Sequence, residues 1–477
     1  MKERKNALDK VNVFTKTANA IGKFFKACAI AFVSFFKNFV KGNWITKLSY
    51  IIMGFGCLAR KQIVRGLLFL TTEILFIFYM FTSGGYYLSM ITTLGVNQQG
   101  EVWDPAQEIF VVSKGDNSML LLLFSVITII LCIIFFIIYL KSVKMAWDNE
   151  EKVKNGEKLL TFKQDWNNLF DRNYDKTVLF LPMLGIFLFT VIPLIFTIAM
   201  AFTNFDKFHQ PPGNLFTWVG FQNFKDVLWN DPLKSYTFTQ LLQWTIIWAI
   251  FATFLNYIFG IILALLINKK GIKYKKFWRT IFVITIAVPQ FVTLLLMSRL
   301  LHDQGPVNTL LLNWGWIDSA IPFLTDATTA KITVIVVNLW VGVPYTMLIT
   351  SGILMNIPND LYEASRIDGA GPFKQFTSIT MPYMLHVTTP YLITQFVGNI
   401  NNFNVIYLLS GGGPLSLDYY QAGKTDLLVT WLYKLTVSEQ NYALASTIGI
   451  FIFVIVATLS LIVYNNSKAV QEEDTFQ

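Results

Sequence analysis

Five side-chain amides stand in segments otherwise too apolar to hold them: Gln290, Asn338, Gln395, Asn399 and Asn402. A side-chain amide both donates and accepts hydrogen bonds, which matches hydroxyl groups that do the same. Trp340 and Tyr345 lie among them, and their rings can cover the apolar face of a polyhydroxylated ring. The plainer alternative is that the amides bridge neighbouring helices. Asn399 and Asn402 fall three apart, with Gln395 a turn earlier, an arrangement on one helix face that a bridge does not require. A second cassette, LYEASRIDGAGPFKQFTSITMPYM at 361–384, carries Glu363, Arg366, Asp368 and Lys374 between two apolar segments. It has the composition of something shown to another protein. Catalytic constellations are missing: His209, His302 and His386 have no ligand-like spacing, and Cys28, Cys57 and Cys132 make neither a disulfide framework nor a metal site. Gly423-Lys424-Thr425 looks like the end of a phosphate loop, but Asp418 stands where its first glycine belongs.

The elements that position these residues follow from composition. The chain has 477 residues, 54% hydrophobic and only 14% charged, against about 25% charged in soluble domains. It reads as an all-α membrane protein. Eight stretches come near the roughly 20 residues needed to cross a bilayer: 64–82, 118–140, 177–201, 242–267, 280–299, 332–354, 384–409 and 442–464. Residues 7–58 read as amphipathic helices lying on the membrane surface. The first 20 residues are polar and lysine-rich, so no cleavable signal peptide is expected and the first span directs insertion.

Orientation follows from the cations. The segment to Arg65 holds 13 lysines and arginines, 141–176 holds 8, 268–279 holds 6, 355–383 holds 2 and the tail 1, whereas the alternate segments and span ends together hold 8. The positive-inside rule places the first set, and both termini, in the cytoplasm. Anionic lipid headgroups then account for the net charge of +9, and no nucleic-acid partner is needed. Within the spans, Pro289 with Gln290 is expected to interrupt the fifth, and Asn338 to Tyr345, with Gly342 and Pro344, the sixth. Solute sites gather at such breaks near mid-membrane. Glu73 is the one acid deep in a span, and a protonated or partner-bonded structural role is expected for it.

In the charged cassette, Asn359 or Asp360 is expected to cap a short helix starting near Leu361, with Glu363 in its first turn, where the dipole favours an acid. Gly369 and Gly371 should end it, Pro372 should block its continuation, and Pro382 should mark the start of the next span. The product is an exposed knob on the cytoplasmic side, shaped for a groove in another protein.

Glu363-Ala364-Ser365, then Gly369, then Ile379-Thr380-Met381-Pro382 resembles the EAA motif of ABC importer permeases, with complete spacing and with Ser365 for the second Ala and Met381 for Leu. The likeness runs from about 177 to 465, where VGFQNFKDVL (219–228), NNFNVIYLLSGGGP (401–414) and TDLLVTWLY (425–433) are similar to the larger membrane subunit of maltose and maltodextrin importers. It implies a six-helix permease core preceded by two extra helices. It also implies a coupling helix near 359–371, with Glu363, Ala364, Ser365, Gly369 and Pro382 serving contact with a separate ATPase. The sugar contacts it implies are Ile286, Gln290, Asn338, Val341, Gly342, Tyr345, Gln395, Gly398, Asn399 and Asn402; Gly398 departs from the pattern, an aromatic standing there in the maltose relative. Partners implied are a second permease subunit, two copies of a cytoplasmic ATPase that would bind ATP and Mg, an extracellular solute-binding protein and the oligosaccharide itself. No cofactor or metal is expected in this chain. The expected layout is an N-terminal interfacial region (1–63), two accessory spans with a basic loop (64–176), the core (177–465) and a cytoplasmic tail (466–477). The rival reading is a secondary sugar transporter driven by an ion gradient, for which Glu73 speaks and against which the cassette stands.

Overall fold

The computed structural model describes residues 22, 26, 32–105, 108–269 and 271–466. Most of the expected interfacial stretch before residue 32, and the tail beyond 466, lie outside the described residues. The chain divides into two compact units, Met1–Phe196 with Pro211–Leu215, and Thr197–Gln210 with Phe216–Gln477.

The first unit is built on three long apolar helices, α1 (Ile63–Met90), α2 (Ser118–Lys154) and α4 (Tyr174–Met200, whose last four residues belong to the second unit). A shorter helix, α3 (Phe162–Phe170), precedes α4. Asn117 caps α2, its side-chain oxygen accepting from Met119 and Leu120 N–H groups at 3.1 Å, as helix starts require. Between α1 and α2 the chain folds into an antiparallel hairpin, Gly100–Asp104 with Ile109–Ser113, which the all-α reading did not foresee. At the other end, the buried carboxylate of Glu150 on α2 gathers the Thr46 hydroxyl (2.6 Å), the Asn43 N–H (3.1 Å) and the Lys154 ammonium (2.6 Å). The intramembrane acid has a structural partner: Glu73 accepts a hydrogen bond from the Met53 N–H at 2.9 Å. The described part of the 7–58 stretch is helical over 32–41, Trp44–Leu48 and Phe55–Leu58.

The second unit contains α5 (Pro232–Asn268), α6 (Lys275–Ala287), α7 (Gln290–Leu300), α8 (Ala327–Leu354), α9 (Asn359–Ile367), α10 (Met381–Ile400), α11 (Phe403–Ser410), α12 (Leu428–Val437) and α13 (Tyr442–Asn466). Among the described residues of the whole chain, six helices are long and apolar enough to cross a membrane, and seven if α6 and α7, bent by 89° at their junction, form one broken span. The expected span at 384–409 is present as α10 but is not among them. His386, Gln395 and Asn399 dilute its apolar character, and it breaks at Asn401–Asn402 before α11 resumes.

The breaks have local causes. Proline at 289 biases the preceding residue toward extended backbone, and Val288 sits at φ −76, ψ 126, ending α6. The interruption expected between Asn338 and Tyr345 does not occur: α8 runs unbroken through Gly342 and Pro344. Neighbouring hydroxyls stabilise the turn around the proline, the Thr346 hydroxyl donating to the Gly342 carbonyl at 3.1 Å and that of Thr350 to the Thr346 carbonyl at 2.8 Å. Pro344, Thr346 and Met347 are buried against neighbouring helices, and such packing lets a spanning helix tolerate proline. The core of the unit is the face that α5 turns to α8 and α10, carrying Trp244, Trp248, Ala252, Tyr257 and Ile261, all buried.

Candidate functional site: an amide-lined cavity and an exposed knob

The α6–α7 break, α8 and α10 converge with α5 on a cavity of about 340 Å³. Pockets that hold small organic ligands span roughly 300–1,000 Å³. The structure brings Ile286, Gln290, Asn338, Val341, Gly342, Tyr345, Gln395, Asn399 and Asn402 to its wall. Of the ten positions taken from the resemblance, Gly398 alone is not on that wall; it faces open space with no atom within 4 Å of where a side chain would begin. No acid, base or histidine lines the cavity, so the arrangement suits a neutral solute. It offers amides, hydroxyls and the half-exposed rings of Trp340 and Tyr345.

The amides divide into two kinds. Asn399 is buried and its side chain donates to the Thr253 hydroxyl on α5 at 2.9 Å, while its backbone carbonyl accepts from the Trp248 indole at 3.1 Å. Asn402 is not on the same helix as Asn399 but past its end, where its side-chain oxygen accepts from Val405 N–H at 3.2 Å and starts α11. Its amide nitrogen still reaches Asn399 Oδ1 at 3.4 Å. These two residues therefore do bridge helices and cap one, as the plainer alternative held. Asn338 behaves differently: it is buried, and among the described residues its Nδ2 has no hydrogen-bond partner. The Oδ1 of Asn256, on α5, is likewise buried and unpartnered.

Asn256 and the hydroxyl residues Thr285 and Thr293 were missed in the sequence. Asn256 lies in the middle of a long apolar helix that nothing interrupts. Only its position against Gly342 exposes its role. An unpartnered buried donor or acceptor costs about 1–3 kcal/mol. Both residues line the cavity, Asn256 with an unpartnered oxygen and Asn338 with an unpartnered nitrogen, each atom buried in the wall.

The knob is α9. It starts at Asn359 with Pro358 as its cap residue, and neither Asn359 nor Asp360 caps it by a side chain. Proline favours such starts because its fixed backbone is already close to helical and it has no N–H to leave unmatched. The acid in the first turn is Asp360 rather than Glu363. Gly369 ends the helix in the left-handed region at φ +79, as expected, whereas Gly371 has an ordinary φ of −72 and Pro372 opens the next short helix. Glu363, Ala364 and Gly369 are exposed. Ser365 faces inward: its hydroxyl donates to the Tyr362 carbonyl at 2.9 Å and accepts from Gln375 at 2.8 Å. Tyr362 in turn meets the Thr380 hydroxyl at 2.8 Å, just before Pro382 at the start of α10. The helix is thus tied to the start of α10, while Ile367 at its end (87% exposed) and Phe373 in the short helix that follows (81%) are bare. Large apolar side chains so exposed mark a surface built to be covered.

Residues 256–470 match the family model described as "Binding-protein-dependent transport system inner membrane component". The chain is 36% identical to the galactooligosaccharides transport system permease protein GanP of Bacillus subtilis, over 90% of this chain and 99% of that one. The chain belongs to this family. This permease is also 35% identical to the maltodextrin transport system permease protein MalC of Streptococcus pneumoniae, over 89% of this chain and 96% of the relative. With MalF of Escherichia coli the identity is 36%, over 53% of this chain and 49% of MalF. In fold it matches a chain of a bacterial alginate ABC transporter solved with its pentasaccharide-bound periplasmic protein, at TM-score 0.51 and 22% identity, over 64% of this chain and 97% of the other. The permease is therefore a multi-pass membrane subunit of a binding-protein-dependent ABC importer, and the ion-gradient alternative falls.

Proposed function

We propose that this permease passes a neutral oligosaccharide of the maltodextrin class through the 340 Å³ cavity, as one half of a heterodimeric pore in the cell membrane. The observation that carries this reading is the unpartnered pair, Asn256 Oδ1 and Asn338 Nδ2, at a wall free of charge. A hydroxyl can donate to the first and accept from the second. Trp340 and Tyr345 supply ring faces, as polysaccharide recognition uses aromatic surface alongside fixed hydrogen bonds. The names of the relatives, for galactooligosaccharides and for maltodextrin, support a neutral sugar chain.

Energy comes from elsewhere. Glu363, Ala364, Ser365, Gly369 and Pro382 form and hold the knob that seats in each cycle against one of two copies of an ATPase carrying ATP and Mg. A second permease completes the pore and an external solute-binding protein delivers the sugar. Both termini are cytoplasmic. The layout proposed is 1–63 interfacial, 64–176 accessory, 177–465 the transport core and 466–477 the tail.

The test is uptake by the assembled transporter in proteoliposomes. Labelled maltotriose should enter in an ATP-dependent manner that survives an ionophore. Asn338→Ala should lower uptake without lowering ATP hydrolysis stimulated by the binding protein. Preference for a β-linked galactotriose over maltotriose would move the substrate to the other class named among the relatives; transport of neither sinks the sugar reading.

A further inference from the structure

The first unit holds a groove of about 670 Å³, walled by the start of α1, by α3 and by the start of α4. Three cations line it: Arg65, Arg172 and Lys176. One acid is present, Asp165, and it is paired with Arg65. The neighbouring acids Asp171 and Asp175 are not on its wall. Among the described residues Arg172 has no carboxylate partner, and Lys176 reaches only the Asn173 side-chain oxygen at 3.5 Å. Two positive charges are therefore left facing an open groove.

The rest of the wall is Val64, Leu68, Leu160, Phe162, Trp166 and Leu169, with the amides of Asn168 and Asn173. Helix α3 is fixed at its start by a reciprocal capping pair, Thr161 with Gln164. From there it presents Phe162 and Trp166 to the groove, each 54% exposed, and Phe170 follows at the same interval of four, off the groove wall. Their ring centroids lie 6.2 and 5.6 Å apart in succession. Leu68 on α1 is also exposed, at 65%. By connectivity, α1 begins, α2 ends and α4 begins on one membrane face, so the groove lies where spans enter the bilayer. Aromatic rings at that depth sit among headgroups, with apolar residues below them and cations above.

We propose that this groove binds an anionic phospholipid. Arg172 and Lys176 hold its phosphate, and an acyl chain runs down Leu68 and the Trp166 face. An acidic protein segment would also meet the cations, but it would leave the adjoining aromatic and aliphatic wall exposed to lipid without a complementary chain. Basic pockets beside spans are suited to anionic headgroups in this way. The site is independent of the sugar cavity and of the reading placed on it.

The experiment is lipid retention by the purified full-length transporter. It is delipidated, equilibrated with equal phosphatidylglycerol and phosphatidylcholine, washed, and the bound lipid measured by mass spectrometry. The wild type should retain phosphatidylglycerol over phosphatidylcholine. The double substitution Arg172→Gln/Lys176→Gln should lower that retention about tenfold or more, since each cation near an anionic surface contributes on the order of 1 kcal/mol. Arg172→Lys/Lys176→Arg should restore it, which separates lost charge from misfolding, and Lys163→Gln, off the groove wall, should leave it unchanged. Equal retention of the two lipids by the wild type overturns the proposal. So does unchanged retention in the double variant, or displacement by glycerol phosphate as effective as by the whole lipid, which would reduce the site to a headgroup or phosphate site.

Discussion

Gly342 on α8 stands against the side-chain amide of Asn256 on α5, so close that a methyl at Gly342 would lie 2.6 Å from Asn256 Cγ and 2.8 Å from its Oδ1. Glycine is required there by close approach, since its backbone is ordinary helix. The expected result of Gly342→Ala is displacement of Asn256 and loss of one sugar hydrogen bond. A neutral hydrogen bond contributes about 0.5–1.5 kcal/mol, so the KM for uptake should rise roughly two- to tenfold while turnover at saturating sugar changes little. Asn256→Ala should show the same rise, and the double variant no more than either alone. Additive effects would mean that the two residues act on different steps.

Damage to the knob should separate insertion from transport. Glu363→Ala removes an exposed carboxylate that makes no contact within the chain's own described hydrogen bonds or ion pairs. Gly369→Asp forces a side chain into a left-handed backbone at φ +79, at a cost of roughly 1–2 kcal/mol. Both variants should reach the membrane at normal level and fail in uptake. Normal uptake by both in membrane vesicles would remove α9 from energy coupling.

Membrane orientation is checked with single cysteines in a background lacking the native three. Cysteine at Lys114 or Leu417, both exposed, should react with an impermeant reagent applied outside. Cysteine at Glu157, Ile272 or Ala370 should react only after the membrane is opened. Labelling at 370 from outside would invert the assignment of the knob to the cytoplasm.

Asp426 is fully buried and takes the Lys434 ammonium at 2.5 Å, the Thr430 hydroxyl at 2.8 Å and the Gly423 N–H at 2.7 Å. Burial pushes its carboxyl upward, while Lys434 and the two hydrogen bonds draw it back. Removing one partner of a buried pair typically costs about 3–5 kcal/mol. Asp426→Ala should therefore lower the thermal midpoint of the permease strongly, and Asp426→Ala with Lys434→Met should recover part of the loss. Equal midpoints for the wild type and Asp426→Ala would show that the pair contributes nothing to stability.

How much of this was legible along the chain depends on the reach of each cause. Hydropathy, cation placement and the Pro289 break act within a few residues, so the spans, the bend between α6 and α7 and the knob ending at Gly369 could be read directly. Met381–Ile400 was also read as a span, although its amides and His386 leave it less apolar than its neighbours. The expected break at Gly342 and Pro344 does not occur because α8 is buried against α5 there, a tertiary contact that the propensity of proline does not reveal. The cap of α9 lies one or two residues before the expected Asn359 or Asp360 because Pro358 serves without a side-chain bond.

By itself the sequence determined the membrane class, the charged cassette that ends at Gly369 and five of the amides that meet at the cavity. Tertiary structure alone decided what each amide does. Asn399 is drawn into a bond with Thr253, and Asn402 is spent on starting α11. Asn256, unremarkable in an apolar helix, is left with a bare oxygen because α5 and α8 close on each other at Gly342. Whether a buried polar group is satisfied depends on partners far away in sequence, and no local pattern encodes their distance.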